Sequence, residues 1–194
     1  MGSNAHNSGR LFVAVELPDD LKSALERVRD ESHELRRELR WARSDGLHIT
    51  LRFLGETTQA QRAALIEGLD ALPSRPPFHL ECRGLGLFGS PARPRVLWAG
   101  LLGDLGPLGE FQREVEAMCA SLGWRAENRA YNPHVTLARG RGGSLQARSA
   151  LESLLARHRD TLFSSFEVSG ITLYSSQLGR GGSVYTPVHR RQLT

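Results

Sequence analysis

A four-residue pattern that occurs twice limits the fold of this chain more than any other feature. Residues 48–51 read HITL and residues 134–137 read HVTL, an offset of 134 − 48 = 86 residues. The same offset aligns GLGLF at 84–88 with GITLY at 170–174. An offset that stays the same from residue 48 to residue 88 indicates an internal duplication.

The duplication divides the chain into halves of about 10–90 and 95–175, within one domain that spans 10–190. Near the start of each half, RLFVAV at 10–15 aligns with RVLWAG at 95–100, at an offset one residue smaller. Each half then reads as a strand, a helix, a strand with the His motif, a helix and a strand. The sequence therefore predicts two similar lobes related by an approximate two-fold axis.

The predicted fold class is α+β, with two lobes of antiparallel sheet and helices packed outside them. A doubly wound parallel sheet would also alternate strands and helices, but no Gly-rich phosphate loop follows the first strand. Along the chain, the pattern predicts a helix over 19–39, a helix capped near Thr57 or Thr58, and a strand over 166–174.

Composition narrows the class of protein. A chain of 194 residues with 40% hydrophobic and 24% charged content fits a single globular domain. Neither a membrane-spanning apolar run nor a signal peptide is recognisable, so we expect a cytoplasmic protein with no membrane partner. Residues 1–9 are small and polar, as in a disordered tail or cloning remnant. Cys82 and Cys119 lack C-x-x-C spacing and are expected to be buried free thiols. We expect a monomer.

The net charge is +4, and arginine supplies nearly all of the positive residues. A guanidinium group can donate two hydrogen bonds to one phosphate, so an anionic partner is one explanation for the high arginine content. Arginine-biased codon use is the other, because a composition cannot locate a site.

The doubled motif predicts a shared catalytic face. Residues i and i+2 of a strand face the same side, so His48 accompanies Thr50 and His134 accompanies Thr136. The apolar residues between them face the other side, towards the helices. Two lobes related by a two-fold axis would bring both pairs into one cleft, with an imidazole and a hydroxyl on each side of a gap.

Two imidazoles across a gap suit displacement at phosphorus. With an ordinary pKa of about 6.5, one imidazole can be neutral and the other protonated near neutral pH. One then acts as a base on the entering oxygen and the other as an acid on the leaving oxygen. No metal or cofactor is required, and a cyclic phosphodiester is the natural substrate. Alternatively, both histidines could be structural. A zinc site is a further alternative, but neither motif has the residue spacing of zinc ligands.

With these residues in view, the chain resembles the RNA 2′,3′-cyclic phosphodiesterases, historically called 2′-5′ RNA ligases, of the two-histidine (2H) phosphoesterase superfamily. The resemblance covers residues 10–190 and rests on six segments: RLFVAVELP, LHITLRFLGE, RVLWAG, PHVTLAR, ITLYSS and VYTP. It implies the bilobal 2H-phosphoesterase fold with the active site in the cleft between the lobes.

The resemblance also implies roles for five residues. His48 is the proton donor to the leaving 3′ oxygen, and His134 is the proton acceptor that activates water, which leaves a 2′-phosphomonoester. Thr50 and Thr136 hold the phosphate oxygens, and Arg139 clamps the phosphate. The approximate symmetry of the repeat means that the residues alone do not decide which histidine is the acid.

Further residues are candidates for contacts with RNA. Phe12 and Tyr174 could stack on a nucleobase or ribose, although core packing is an alternative for both. Four arginines could steer an RNA end electrostatically: Arg10, Arg52, Arg180 and Arg190.

Two other functions use the same residues. One is a phosphodiesterase for small cyclic nucleotides or 2′-5′ oligonucleotides. The other is a non-catalytic module that binds RNA ends, although binding alone does not need two titratable imidazoles. For the enzyme, microscopic reversibility also predicts a minor 2′-5′ ligase activity.

Overall fold

The computed structural model describes residues 9–142, 146–179 and 182–194. These residues form nine β-strands and four α-helices. The strands are β1 (Gly9–Glu16), β2 (Leu39–Trp41), β3 (His48–Thr57), β4 (Phe78–Ser90), β5 (Arg93–Gly103), β6 (Val135–Gly140), β7 (Leu162–Val168), β8 (Gly170–Gly179) and β9 (Gly182–Gln192). The helices are α1 (Asp19–Glu31), α2 (Gln59–Asp70), α3 (Leu105–Ser121) and α4 (Arg148–Arg157).

The strands form one antiparallel sheet in the order β7-β4-β5-β6-β3-β1-β8-β9, and β2 pairs with the end of β6. The sheet consists of two lobes, β7-β4-β5-β6 and β3-β1-β8-β9. The lobes meet where β3 pairs with β6 at one position, Ile49 with Val135. The α+β class and the antiparallel arrangement predicted from the sequence are confirmed.

The strand order is symmetric about the Ile49–Val135 bridge. If β1 corresponds to β5, β3 to β6 and β4 to β8, a two-fold rotation at the bridge leaves the order unchanged. However, β4 from the first half of the chain pairs with β5 from the second, and β8 from the second half pairs with β1. Each lobe therefore combines strands from both halves. The duplication itself remains a prediction.

The sheet register corrects the alignment of the first strands. Ala14 pairs with Thr50, and Trp98 pairs with Thr136, so β1 and β5 correspond at an offset of 98 − 14 = 84 residues. The predicted offset of 85, which matched RLFVAV with RVLWAG, is wrong by one residue. Similar letters favoured that alignment, whereas alternating burial fixes the register in the sheet, and one residue of slip exchanges its two faces.

One predicted helix is too long, one predicted strand is two strands, and one predicted cap is confirmed. Helix α1 ends at Glu31, short of residue 39, and the hydroxyl of Ser32 donates to the Val28 carbonyl at its end, 2.7 Å away. The strand predicted over 166–174 is the end of β7 and the start of β8, separated at Ser169. Helix α2 is capped as predicted, because Thr58 and Gln61 form a reciprocal capping box.

The core lies between the sheet and the four helices. Each helix contributes fully buried apolar residues, including Leu21, Leu65, Phe111 and Leu151. The apolar residues of the repeated motif are buried on the same side: Ile49, Leu51, Val135 and Leu137 are 0–3% exposed. The predicted alternation holds, because the His and Thr residues between them are only partly buried.

Other sequence predictions concern burial and the chain start. Cys82 and Cys119 are buried free cysteines, as predicted. The predicted tail lies outside the described residues except for Gly9, which begins β1. In the described ranges, no helix combines the length and apolar character needed to cross a membrane.

Candidate active site

The bridge between β3 and β6 positions the repeated motif. Ile49 is paired with Val135, and antiparallel register on either side sets His48 beside Thr136 and Thr50 beside His134. Because Ile49 and Val135 are fully buried against the helices, these four side chains face the opposite, concave side of the sheet. Each imidazole thus has a hydroxyl beside it on both its own strand and the neighbouring one.

A backbone carbonyl orients each imidazole. The Nδ1 atom of His48 is 2.8 Å from the Gly46 carbonyl oxygen, and the Nδ1 atom of His134 is 2.8 Å from the Asn132 carbonyl oxygen. A carbonyl only accepts, so Nδ1 carries the proton and donates it in both rings. Gly46 and Asn132 are themselves 132 − 46 = 86 residues apart, so the repeat duplicates the orienting group. Nε2 remains as the atom that exchanges protons.

The neighbourhood of His48 favours the neutral imidazole. Burial lowers the pKa of His48 to about 4, although the hydrogen bond to Gly46 acts in the other direction. The positive charges of Arg139 and His134 lower this pKa further. The Thr50 hydroxyl lies 3.0 Å from Nε2 and donates to it while the ring is neutral. Without a bound anion, His48 is therefore neutral near pH 7.

Aromatic side chains contact both histidines. The His48 ring lies 4.7 Å from the Phe12 ring and 5.4 Å, edge-on, from that of Tyr185. On the other lobe, His134 meets Phe88 edge-on at 5.1 Å between ring centroids. Tyr185 and Phe88 were not identified from the sequence, although the offset of 86 pairs Phe88 with Tyr174. These ring contacts help to fix the orientation of both imidazoles.

Phe12 is too deeply buried to stack on a base, whereas the predicted contact of Tyr174 with RNA remains a prediction. Phe12 is only 2% exposed and stacks on Tyr174 at 5.2 Å, so no free ring face remains for a nucleobase. Tyr174 is half-buried, and its hydroxyl donates to Glu16 at 2.7 Å. Burial and Glu16 raise the pKa of Tyr174, which keeps the hydroxyl a donor. Glu16 pairs with His48 across β1 and β3 and was missed in the sequence.

A β-bulge places Arg139 on the same face of the sheet as His134. Thr136 pairs with Trp98 and Arg139 pairs with Val96, so β6 has one residue, Leu137, more than β5 in this interval. Without that extra residue, Arg139 would face the helices, since it is five residues from His134. Because of the bulge, the guanidinium shares the face of His134 and Thr136.

The equivalent bulge at Leu51 determines where two residues of the first motif lie. Phe53, the counterpart of Arg139, shares the face of Thr50 and is 61% exposed. Arg52 turns to the helix side, is 8% exposed, and pairs with Glu116 at 3.1 Å. The predicted role of Arg52 in steering RNA is therefore wrong, because its charge is buried and neutralised.

The other arginines predicted to steer RNA are at the surface or outside the described residues. Arg10 pairs with Glu56 at 3.2 Å and Arg190 with Glu16 at 3.0 Å, both at exposed positions. Arg180 lies outside the described residues.

As for metals, no group of three or more His, Cys, Asp or Glu side chains within the described ranges could hold an ion.

Known proteins resemble this chain over most of its length. It matches the family model described as LigT like Phosphoesterase over residues 15–98 and 105–185. It is 38% identical to the RNA 2′,3′-cyclic phosphodiesterase of Aeropyrum pernix over 165 residues, which cover 85% of this chain and 92% of that protein. A protein of the same name from Aquifex aeolicus is 33% identical, covering 92% and 94%.

A solved structure shows the same fold. The crystal structure of Escherichia coli LigT complexed with 3′-AMP aligns with a TM-score of 0.78 and 27% sequence identity. The alignment covers 97% of this chain and 99% of that chain.

Proposed function

The chain belongs to the LigT-like phosphoesterase family and is a phosphoric diester hydrolase, and from this membership we propose that it hydrolyses terminal 2′,3′-cyclic phosphates of RNA to 2′-phosphomonoesters. The observation that carries the proposal is the Ile49–Val135 bridge, which sets a His and a Thr from each repeat on one concave face. Relatives that align over most of both chains are named RNA 2′,3′-cyclic phosphodiesterases, which supports the same substrate.

The reaction uses the two Nε2 atoms. His134 takes a proton from a water molecule while the water oxygen bonds to phosphorus. The bond from phosphorus to the 3′ oxygen breaks, and His48 gives that oxygen a proton from its own Nε2. One water is consumed, and the product has a 2′-phosphate and a free 3′-hydroxyl. The hydrogen bonds from Nδ1 to Gly46 and Asn132 support this use, because they hold each ring with Nε2 available.

His48 must gain its proton when the substrate binds. It is neutral in the empty site, because burial lowers its pKa to about 4. A phosphodiester anion placed between the rings favours the imidazolium, since an opposite charge nearby raises the pKa of a histidine. Substrate binding therefore leads His48 to take up a proton from solvent, which makes it the acid catalyst.

The remaining polar groups of the face stabilise the phosphate. The hydroxyls of Thr50 and Thr136 donate to the non-bridging oxygens, where charge increases in the transition state. When His48 becomes protonated, Thr50 no longer donates to its Nε2 and can donate to the phosphate instead. Arg139, brought to this face by the bulge at Leu137, has a guanidinium group that can donate a hydrogen bond to each of two phosphate oxygens.

The test is a short RNA that ends in a 2′,3′-cyclic phosphate, incubated with the purified protein in EDTA. We expect conversion to a 2′-phosphate end, read by its mobility and by its resistance to an enzyme specific for 3′-phosphates. His48→Ala and His134→Ala should each lower the rate at least about 10²-fold, the usual contribution of a general acid or base.

The control is His79→Ala, because His79 has a 71% exposed side chain on β4. It should keep wild-type activity, and circular dichroism should show all three variants folded. Full activity in either catalytic variant would contradict the proposal. Conversion of 2′,3′-cyclic AMP without conversion of the RNA would favour a phosphodiesterase for small cyclic nucleotides.

We also infer that the same residues catalyse a ligation. A 5′-hydroxyl end could replace water as the nucleophile: His134 takes its proton while the 5′ oxygen bonds to phosphorus, the bond to the 3′ oxygen breaks, and His48 protonates that oxygen, which leaves a 2′-5′ linkage. Water outcompetes an RNA end in dilute solution, so ligation should be the minor activity. A mixture of a 5′-hydroxyl RNA and a cyclic-phosphate RNA would show it as a longer product that depends on His48.

A further inference from the structure

The short strand β2 places a second arginine beside Arg139. Arg40 pairs directly with Arg139 in the antiparallel register of β2 and β6. Side chains of directly paired residues lie on the same face with Cβ atoms roughly 5 Å apart. Arg40 therefore joins the catalytic face, and both arginines are exposed there. A strand of three residues has no recognisable period, so this neighbour could not be predicted from the sequence.

Two like charges opposite each other destabilise a sheet unless something neutralises them. Within the described residues, neither Arg40 nor Arg139 is within 4.0 Å of a carboxylate, in contrast to Arg10, Arg43 and Arg52. The acidic residue nearest in sequence, Glu38, accepts from the backbone amides of residues 146 and 147 at 2.6 and 3.0 Å. The pair thus forms a concentrated positive charge that no carboxylate of the described part of the chain neutralises.

The position of the pair relative to the histidines indicates its ligand. Along β6, His134 and Thr136 lie nearest the bridge, and Arg139 lies farther along the same face. Arg40 is on the strand that continues the sheet beside Arg139, away from β5. Two guanidinium groups offer enough donors for one phosphate beyond the one that reacts.

We propose that Arg40, beside Arg139, binds a second phosphate of the RNA, next to the terminal cyclic phosphate that Arg139 contacts, and so favours RNA ends over cyclic mononucleotides. This inference rests on the proposed function. A cyclic mononucleotide has only the phosphate that reacts and cannot use Arg40. An RNA end has a further phosphate on its 5′ side, which the guanidinium group of Arg40 can bind.

The experiment compares kcat/KM for a short RNA with a 2′,3′-cyclic phosphate end and for 2′,3′-cyclic AMP. Arg40→Gln should lower the value for the RNA about tenfold or more, as expected for loss of a charge-assisted contact, and leave that for cyclic AMP unchanged. Arg40→Lys should recover part of the loss, because it keeps the charge but not the fork. The matched control is Arg148→Gln, which removes an exposed charge paired with Glu152 on α4.

Salt dependence provides a second measurement. For the RNA substrate, the slope of log(kcat/KM) against log of salt concentration should become shallower by about 0.7 in Arg40→Gln, the change for one lost contact to a single strand. An equal loss for RNA and cyclic AMP would overturn the proposal, because Arg40 would then act on the reacting phosphate. An unchanged value for both substrates would overturn it as well.

Failure of the proposed function would look different. In that case the wild type would not convert the RNA at all, and fluorescence anisotropy of a labelled RNA with a 2′-phosphate end would test the pair directly. Weaker binding by Arg40→Gln than by Arg148→Gln, with a shallower salt slope, would still support a phosphate site. Equal binding by the two variants would refute it.

Discussion

Acid should destabilise the protein through His48 by an amount that the structure predicts. The unfolded chain takes up a proton at His48 near its ordinary pKa of about 6.5, whereas burial lowers the folded pKa to about 4. The unfolded state therefore binds more protons between these values, and the stability that His48 contributes falls as the pH falls. Linkage gives a loss of about 2 kcal/mol on going from about pH 7 to about pH 4.5.

The perturbation is His48→Gln, which removes the titrating group but keeps a polar side chain of similar length. The free energy of unfolding should be measured by urea denaturation at both pH values, with tryptophan fluorescence and circular dichroism as probes. The wild type should lose about 2 kcal/mol more than His48→Gln over this interval. Comparing two differences removes the contribution of carboxylates, which titrate in both proteins. His79→Gln, at an exposed position, should behave as the wild type does.

The result that would refute this reasoning is an equal loss of stability in the wild type and in His48→Gln. His48 would then be as easily protonated in the folded as in the unfolded protein, and the substrate would not be needed to protonate it. A shallower loss in His48→Gln would instead support a neutral imidazole in the empty site. It would also explain why an anion must arrive before this histidine can act as an acid.

Three further substitutions test the site and its supports. Thr136→Val should lower kcat about 10²-fold with little change in KM, as for loss of one donor to a developing charge, and an unchanged kcat would remove Thr136 from the site. Gly86→Ala should cost roughly 1–3 kcal/mol in urea denaturation, because its Cβ would overlap the Trp98 ring, and wild-type stability would contradict that contact. Glu116→Gln should cost about 2 kcal/mol by leaving the buried charge of Arg52 without its partner, and an unchanged midpoint would show that the pair adds no stability.

The residues that face the cleft could be predicted from strand parity and from the repeat. Alternation placed His48 and Thr50 on one face, and the offset of 86 residues supplied their partners. That prediction needed no knowledge of which strands pair, because it depends on side-chain direction within one strand. The burial of Ile49 and Val135 on the opposite side agrees with it.

Features that depend on a partner strand could not be predicted. The bulges at Leu51 and Leu137 are defined by the count of residues on neighbouring strands, and they decide that Arg52 is buried and Arg139 faces the cleft. The short strand β2 lies in a segment rich in charged residues whose local pattern favoured a helix. The burial of Leu39 in β2 could not be predicted from three residues, because it depends on packing against distant parts of the chain.

The exchange of strands between the halves has a consequence for the ancestry of the chain. If the two halves arose by duplication, a half-length ancestor could complete a lobe only by lending its last strand to a second copy. The ancestral unit would then have been an intertwined homodimer, with identical histidines on opposite sides of its symmetry axis. Fusion of the two genes would have freed each copy to diverge, so that an arginine replaced the counterpart of Phe53 on one side alone. It would also mean that cutting the present chain between Ser90 and Arg93 separates two fragments that still need each other's strands, a natural design for reassembly of an enzyme from two pieces.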